Sequence, residues 1–314
     1  MGSLYLYYFM KKKSLIFLIT LFFLLPLFSE THFSLGTSLG TSFEKNGEYV
    51  YGFSGTGVVS YLDWHSFPVC KLGINADLSF NNFSIKTNIN YGLPLKCGKM
   101  YDSDWGDYGL KTTYSISNNY AMQNYDFLLA FSYKIKVRKV YLVPELSLDY
   151  YYDFFQSNDG EGWYGSEAYS LTGDDESWDS PYAKHFTKLS RIDLKRNSFF
   201  CFTGLGVIIP LGNKFNIGAG SYISLYSYVY NSDYHHDDSS RNRDFYLNST
   251  QISSFSRFKE LIFVEFIPTE KISLDFTANV IFGDIIQGQL EGYEQLAGTD
   301  VLKVNLKLGG KIIF

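Results

Sequence analysis

Cysteine is scarce. Cys70, Cys97 and Cys201 are the only three in 314 residues. They are too scattered for a disulfide scaffold, allow one bridge at most, and show no zinc-ligand spacing. Basic charge is not in excess either: 27 Lys and Arg face 32 Asp and Glu, a net charge of −5, which argues against a generic nucleic-acid binder. Long apolar runs are missing but for one near the N-terminus, and the mean hydropathy of −0.09 excludes a bundle of transmembrane helices. No phosphate-binding Gly-rich loop or His-Glu-x-x-His occurs. Neither an internal repeat nor a linker is apparent, so a single domain follows the N-terminal segment.

What is abundant is aromatic. The chain has 27 Tyr and 28 Phe, far too many for a disordered polypeptide. The single apolar run, Leu15 to Phe28, follows Lys11, Lys12 and Lys13 and is short for a spanning helix, which needs about 20 residues. This order of charge and apolarity predicts an export signal over residues 1–29, with the domain over 30–314; an uncleaved anchor is the other reading. No Cys follows the run, which disfavours a lipoprotein.

The body alternates with period two. Leu72, Ile74, Ala76, Leu78 and Phe80 share one face, and Lys71, Gly73, Asn75, Asp77 and Ser79 the other. After Asn81-Asn82, a tight-turn signal, Phe83, Ile85, Thr87, Ile89 and Tyr91 repeat the pattern. So do Phe127 to Val137, Ile272 to Phe282, and the last stretch, where Leu302, Val304, Leu306, Leu308, Ile312 and Phe314 oppose Lys303, Asn305, Lys307 and Lys311. In a membrane barrel this pattern has a cause: outward residues meet lipid, inward ones a polar lumen, and aromatic rings gather at both interfaces. The final Phe resembles the terminal signature of outer-membrane barrels.

Connection lengths alternate as well. Short turns are predicted at Asn81-Asn82, Arg138-Lys139, Gly212-Asn213 and about Pro268-Thr269. Long polar loops are predicted near 94–108, 157–186, 231–248 and 284–299. The predicted fold is therefore all-β: a ten-stranded antiparallel transmembrane β-barrel with long extracellular loops and short periplasmic turns.

Chemistry-bearing residues collect in the long connections. Asp102 and Asp104 share a side of an extended chain, and so do Asp233 and His235. A carboxylate beside an imidazole fixes its tautomer, and the imidazole can then take a proton from water. Two adjacent carboxyls seldom both ionise, so one is expected to hold a proton near neutral pH. The alternation of Phe215, Ile217 and Ala219, carried forward, would turn Asp233 outward. A bulge or irregular segment is therefore expected in between. Taken alone, each cluster could equally be solvated loop, and His235-His236-Asp237-Asp238 a surface metal patch.

Three stretches resemble the omptins, the outer-membrane endopeptidases of Gram-negative bacteria. They are Ser60-Tyr61-Leu62-Asp63-Trp64, Met100-Tyr101-Asp102-Ser103-Asp104-Trp105-Gly106-Asp107, and Asp233-Tyr234-His235. Their order, the strand count and the terminal Phe extend the resemblance over about residues 35–314. It implies Asp233 and His235 as a catalytic pair and Asp102 and Asp104 as the pair facing it. It implies Glu48 as an acid gripping a basic substrate side chain, and Met100 as a wall of that pocket. It further implies an active site facing the exterior, polypeptide substrates with basic residues, and neither a metal nor a nucleic-acid partner. A second pocket acid of the family is here Asn231. The lipopolysaccharide that family members often need has no recognisable basic cluster, since Leu148 to Phe154 is Tyr-rich and lacks Arg. From Asp153 to Asp179 eight acids and no Lys or Arg form a candidate rim for cationic peptides. The alternatives are a catalytically silent barrel acting as adhesin or receptor, and a small channel.

Overall fold

The computed structural model describes residues 31–52, 57–106, 109–238 and 243–314. The predicted signal segment and Asp107 lie outside the described residues, as do the side chains of Asp237 and Asp238. In chain order the strands are β1 (Thr31–Tyr51), β2 (Val58–Phe80), β3 (Phe83–Gly92), β4 (Leu95–Trp105), β5 (Lys111–Tyr133), β6 (Ile135–Val137), β7 (Val140–Tyr164), β8 (Lys184–Leu189), β9 (Ile192–Leu211), β10 (Phe215–Asp238), β11 (Arg243–Ser253), β12 (Arg257–Thr269), β13 (Ile272–Gly283), β14 (Ile286–Leu290) and β15 (Leu296–Ile313). Short segments stack end to end, β4 above β3 and β11 above β12, so the sheet is a ring of 10 antiparallel staves. It closes where β1 pairs β15, Leu39 opposite Leu308. Closure leaves no sheet edge to expose unpaired backbone to lipid.

The predicted faces hold. Leu39, Leu72, Ile74, Ile89, Ile262 and Leu308 are all at least half exposed on the outer wall, as lipid-facing side chains must be. Their neighbours along each strand point inward and are buried or half-buried. Below, rings meet at Phe80–Phe83, Phe215–Phe266 and Phe33–Phe314. Higher up they meet at Phe43–Phe67, Tyr91–Tyr125, Phe199–Tyr226 and Phe258–Phe282. These two levels are the interfacial girdles, and the membrane-spanning segments lie between them.

The strands do not stop there. A tilted strand needs about 9–11 residues to cross a bilayer, yet β7 has 25 and β10 has 24. The segments predicted as long loops near 94–108, 231–248 and 284–299 are thus largely strand, and β7 runs on to Tyr164 before its loop begins. Above the bilayer the outer face of a strand meets water in place of lipid, so its polar residues read as loop although the strands stay paired in the sheet. The turns at Asn81-Asn82, Arg138-Lys139 and Gly212-Asn213 stand where predicted. The last lies at Glu270-Lys271 rather than Pro268-Thr269, because β12 continues to Thr269.

Inside, charge is paired. Lys71 Nζ lies 2.8 Å from Asp126 and 3.1 Å from Glu44, while Lys303 Nζ lies 3.2 Å from Glu44, 3.3 Å from Asp126 and 3.4 Å from Asp153. Lys259 reaches Asp149 at 3.1 Å. Asp153, counted in the acidic rim by sequence, belongs to this lumen network. A small barrel fills its interior this way. The network lies across the lumen above a cavity of about 790 Å³ that is lined by Asp77, Lys86, Lys307 and Lys311 toward the periplasmic end.

Candidate active site at the barrel mouth

Backbone register sets which side chains meet. Across β1, β2 and β4, Glu48 pairs Leu62 and Leu62 pairs Asp102, while Trp64 pairs Met100 and Ser60 pairs Asp104. Paired residues point the same way, and Leu62, Trp64 and Met100 are buried inward. Asp102 and Asp104 therefore point inward too, with Glu48 beside them.

The opposite wall is β10, where the expected irregularity is found. Ser224 pairs Phe202 and Tyr226 pairs Cys201, so Leu225 is an extra residue on β10. Below it Phe215 and Ile217 face lipid; above it Ser227, Val229, Asn231 and Asp233 are buried inward. One inserted residue reverses the parity of everything above it.

Asp233 Oδ2 and His235 Nε2 are 2.7 Å apart. The imidazole is stacked on Phe245, ring centres 4.2 Å apart, which fixes its plane. His236 points to the outer wall, where its Nε2 lies 2.9 Å from Asp193. Among the described residues no group of His, Cys, Asp and Glu has the arrangement of a metal site.

The Asp102–Asp104 and Asp233–His235 pairs share one electrostatic field above the outer girdle. Burial raises the Asp102 carboxyl well above the ordinary aspartate range; Asp104 and Asp233 push it further and His235 opposes them. The protonated form of Asp102 is thereby favoured. Burial likewise pushes Glu48 up to about 8, with Asp233 adding to the rise and Arg196 and the Trp64 indole working against it. The indole Nε1 donates to Glu48 Oε2 at 3.1 Å. Asn231, one inward step below Asp233, accepts from Arg196 Nε at 2.7 Å.

Sequence reasoning missed Arg196 and assigned no task to Trp64. Arg196 had a signal: it falls on the inward phase of Leu194, Ser198 and Phe200, where a charged side chain must find partners.

Comparison with known proteins bears on the fold and on part of the sequence. The Omptin family model matches residues 29–143, which include Glu48, Trp64, Met100, Asp102 and Asp104. The crystal structure of the outer membrane protease OmpT from Escherichia coli is similar at TM-score 0.73 and 17% identity, covering 90% of this chain and 97% of that one. The translocator domain of the autotransporter NalP from Neisseria meningitidis has TM-score 0.36 at 7% identity, covering 99% and 97%, and carries no further weight. No curated protein sequence matches. Over residues 29–143 the chain thus matches the Omptin family model, and through its whole ring of strands it has the fold of the OmpT barrel.

Proposed function

We propose that the chain is an outer-membrane endopeptidase that hydrolyses extracellular polypeptides near basic residues, using a water molecule activated by Asp233 and His235 opposite Asp102 and Asp104. The observation that carries this reading is the 2.7 Å contact between Asp233 and His235 in the field of the Asp102 carboxyl.

The chemistry follows from the groups present. With Nε2–H given to Asp233, Nδ1 is the basic nitrogen of His235. It takes a proton from water as the water attacks the scissile carbonyl. Asp233 stabilises the imidazolium that forms. The proton held between Asp102 and Asp104 is positioned for the developing oxyanion, and their remaining charge orients the attacking water. Because water rather than a side chain is the nucleophile and carboxyls manage the protons, the enzyme is of aspartic type. No covalent intermediate forms on the protein.

Attraction of cationic peptides has its own support. Glu161, Glu167, Asp174, Asp175, Glu176 and Asp179 lie on the β7–β8 side of the mouth with no Lys or Arg among them. Such a rim raises the local concentration of basic peptides, an effect that salt screens.

The test is a random peptide library incubated with the folded barrel in lipid vesicles, its products read by mass spectrometry. New termini within a few residues of Lys or Arg are expected, and their loss in His235→Ala. Binding of peptides without new fragments, or undiminished turnover in that variant, would overturn the reading in favour of a receptor.

A further inference from the structure

Below the lumen network the charges are sorted by wall. Lys307 on β15, Lys86 on β3 and Lys134 just after β5 line the periplasmic cavity from the half of the ring made by β15, β1, β2, β3 and β5. Glu145 on β7, Glu265 on β12 and Asp275 on β13 line it from the other half. These six groups have neutral partners or none among the described residues. Lys307 Nζ donates to Asn75 Oδ1 at 3.4 Å. Glu265 accepts from Asn216 Nδ2 at 2.8 Å and Ser273 Oγ at 2.7 Å, and Asp275 from Thr277 Oγ1 at 3.2 Å. The side chains of Lys86, Lys134 and Glu145 make neither a hydrogen bond nor an ion pair there. Lys311 is matched within its own wall, by Asp77 at 2.7 Å.

Charges in contact cancel, as Lys71 and Asp126 do at 2.8 Å. Charges kept apart on facing walls set up a field across the space between them, and the low-dielectric barrel concentrates it. A guest of one sign satisfies one wall and leaves the other unanswered. A guest carrying both signs answers both. The buried hydrogen-bonding atoms follow the same polarity. Asn75, 3% exposed on the cationic wall, has a donor, Nδ2, without a partner; Asp275, 8% exposed on the acidic wall, has an acceptor, Oδ1, without one. An unmade buried donor or acceptor is costly, so a ligand that completes it is rewarded. The cavity extends down to the Asn81-Asn82 turn, which puts its entrance at the periplasmic end, and its volume of about 790 Å³ is that of a small-molecule pocket.

We propose that this cavity is a periplasm-facing binding site for a zwitterion, a short peptide with free ends. The terminal carboxylate lies against Lys86, Lys134 and Lys307, and the terminal ammonium against Glu145, Glu265 and Asp275. A peptide suits the site better than a free amino acid, because an extended chain separates its end charges by about 3.3–3.6 Å per residue and the charges of the two walls stand beyond ion-pair distance of one another. The site lies on the far side of the lumen network from Asp102 and His235 and does not depend on the hydrolase reading.

The experiment uses the full barrel in lipid nanodiscs, which leave both ends accessible, and isothermal titration calorimetry with three probes. Triglycine carries both end charges, N-acetyl-triglycine the carboxylate alone, and triglycine amide the ammonium alone. Triglycine is expected to bind one to one, and each blocked form at least about tenfold more weakly, the loss of one charge-assisted set of hydrogen bonds. Lys86→Gln and Glu145→Gln should each weaken triglycine by about tenfold. Where Lys86→Gln does not fold, Lys134→Gln, at the end of its strand, decides in its place. No binding of triglycine to the folded parent overturns the proposal, the cavity then holding water only. Equal binding of either blocked form overturns it in favour of a site for one sign of charge. Unchanged affinity in the variants of both walls overturns it as well, because the peptide is then bound elsewhere, the mouth included. Peptidase turnover should be the same in these variants as in the parent, since none of the substituted residues reaches the mouth.

Discussion

Asp233 and Leu225 lie on the same strand, and the orientation of the first depends on the second: Leu225 is the extra residue of the β10 bulge, and it turns Asp233 from the lipid side to the lumen. Deleting Leu225 restores plain alternation and sends Asp233 and His235 to the outer wall. Peptidase turnover should then fall to background while a barrel of unchanged strand content still forms, as circular dichroism would report. Retained turnover would mean that the inward orientation of Asp233 is not needed.

The contact between Asp233 and His235 fixes a tautomer as well as a position. Asp233→Asn keeps the shape but removes the charge that stabilises the imidazolium. By analogy with the carboxylate of a catalytic triad, kcat should drop by about 10³–10⁴-fold with KM little changed. Steady-state kinetics on a fluorogenic peptide separate the two parameters.

Glu48 makes stability depend on pH in an unusual sense. Its carboxyl rises from the ordinary 4.5 to about 8 in the folded chain. Between those values the folded protein keeps a proton that the unfolded chain has released. Stability is therefore full below the ordinary glutamate range and declines as pH climbs to about 8, by an amount on the order of a few kcal/mol. Urea unfolding in vesicles at several pH values should show this decline, and Glu48→Gln should flatten it.

Lys303 neutralises three carboxylates at once in the lumen, Glu44, Asp126 and Asp153. Lys303→Met removes the cation and leaves surplus negative charge buried. A loss of about 3–5 kcal/mol is expected, the usual cost of breaking a buried pair from one side. The same unfolding assay reads it, and the mouth residues should keep their activity in whatever fraction remains folded.

Much of this was legible in the sequence because lipid and lumen impose opposite chemistry on alternate residues. Lys303, Lys307 and Lys311 against Leu306, Leu308 and Ile312 left little freedom for the last strand. The need for a bulge on β10 followed from parity, but its place did not, since Leu225 looks like any other lipid-facing residue. The upper strands read as loops because water in place of lipid on the outer face removes the alternation of polarity, although β4 and β10 stay extended there. At the mouth, Asp102, Asp104, Asp233 and His235 were visible as short motifs, whereas the tie between Asn231 and Arg196 joins residues on different strands and appears only once β9 and β10 are set in register.

Whether the two walls of the mouth act on one water as a unit can be measured in a double-mutant cycle of Asp102→Asn and His235→Ala, with kcat/KM determined for the parent, both single variants and the double variant. If the four carboxyl and imidazole groups form one site, either single change removes nearly all the catalysis and the double variant is hardly slower than the slower single. Losses that multiply fully in the double variant would contradict a shared site, for they would mean that the two pairs contribute independently.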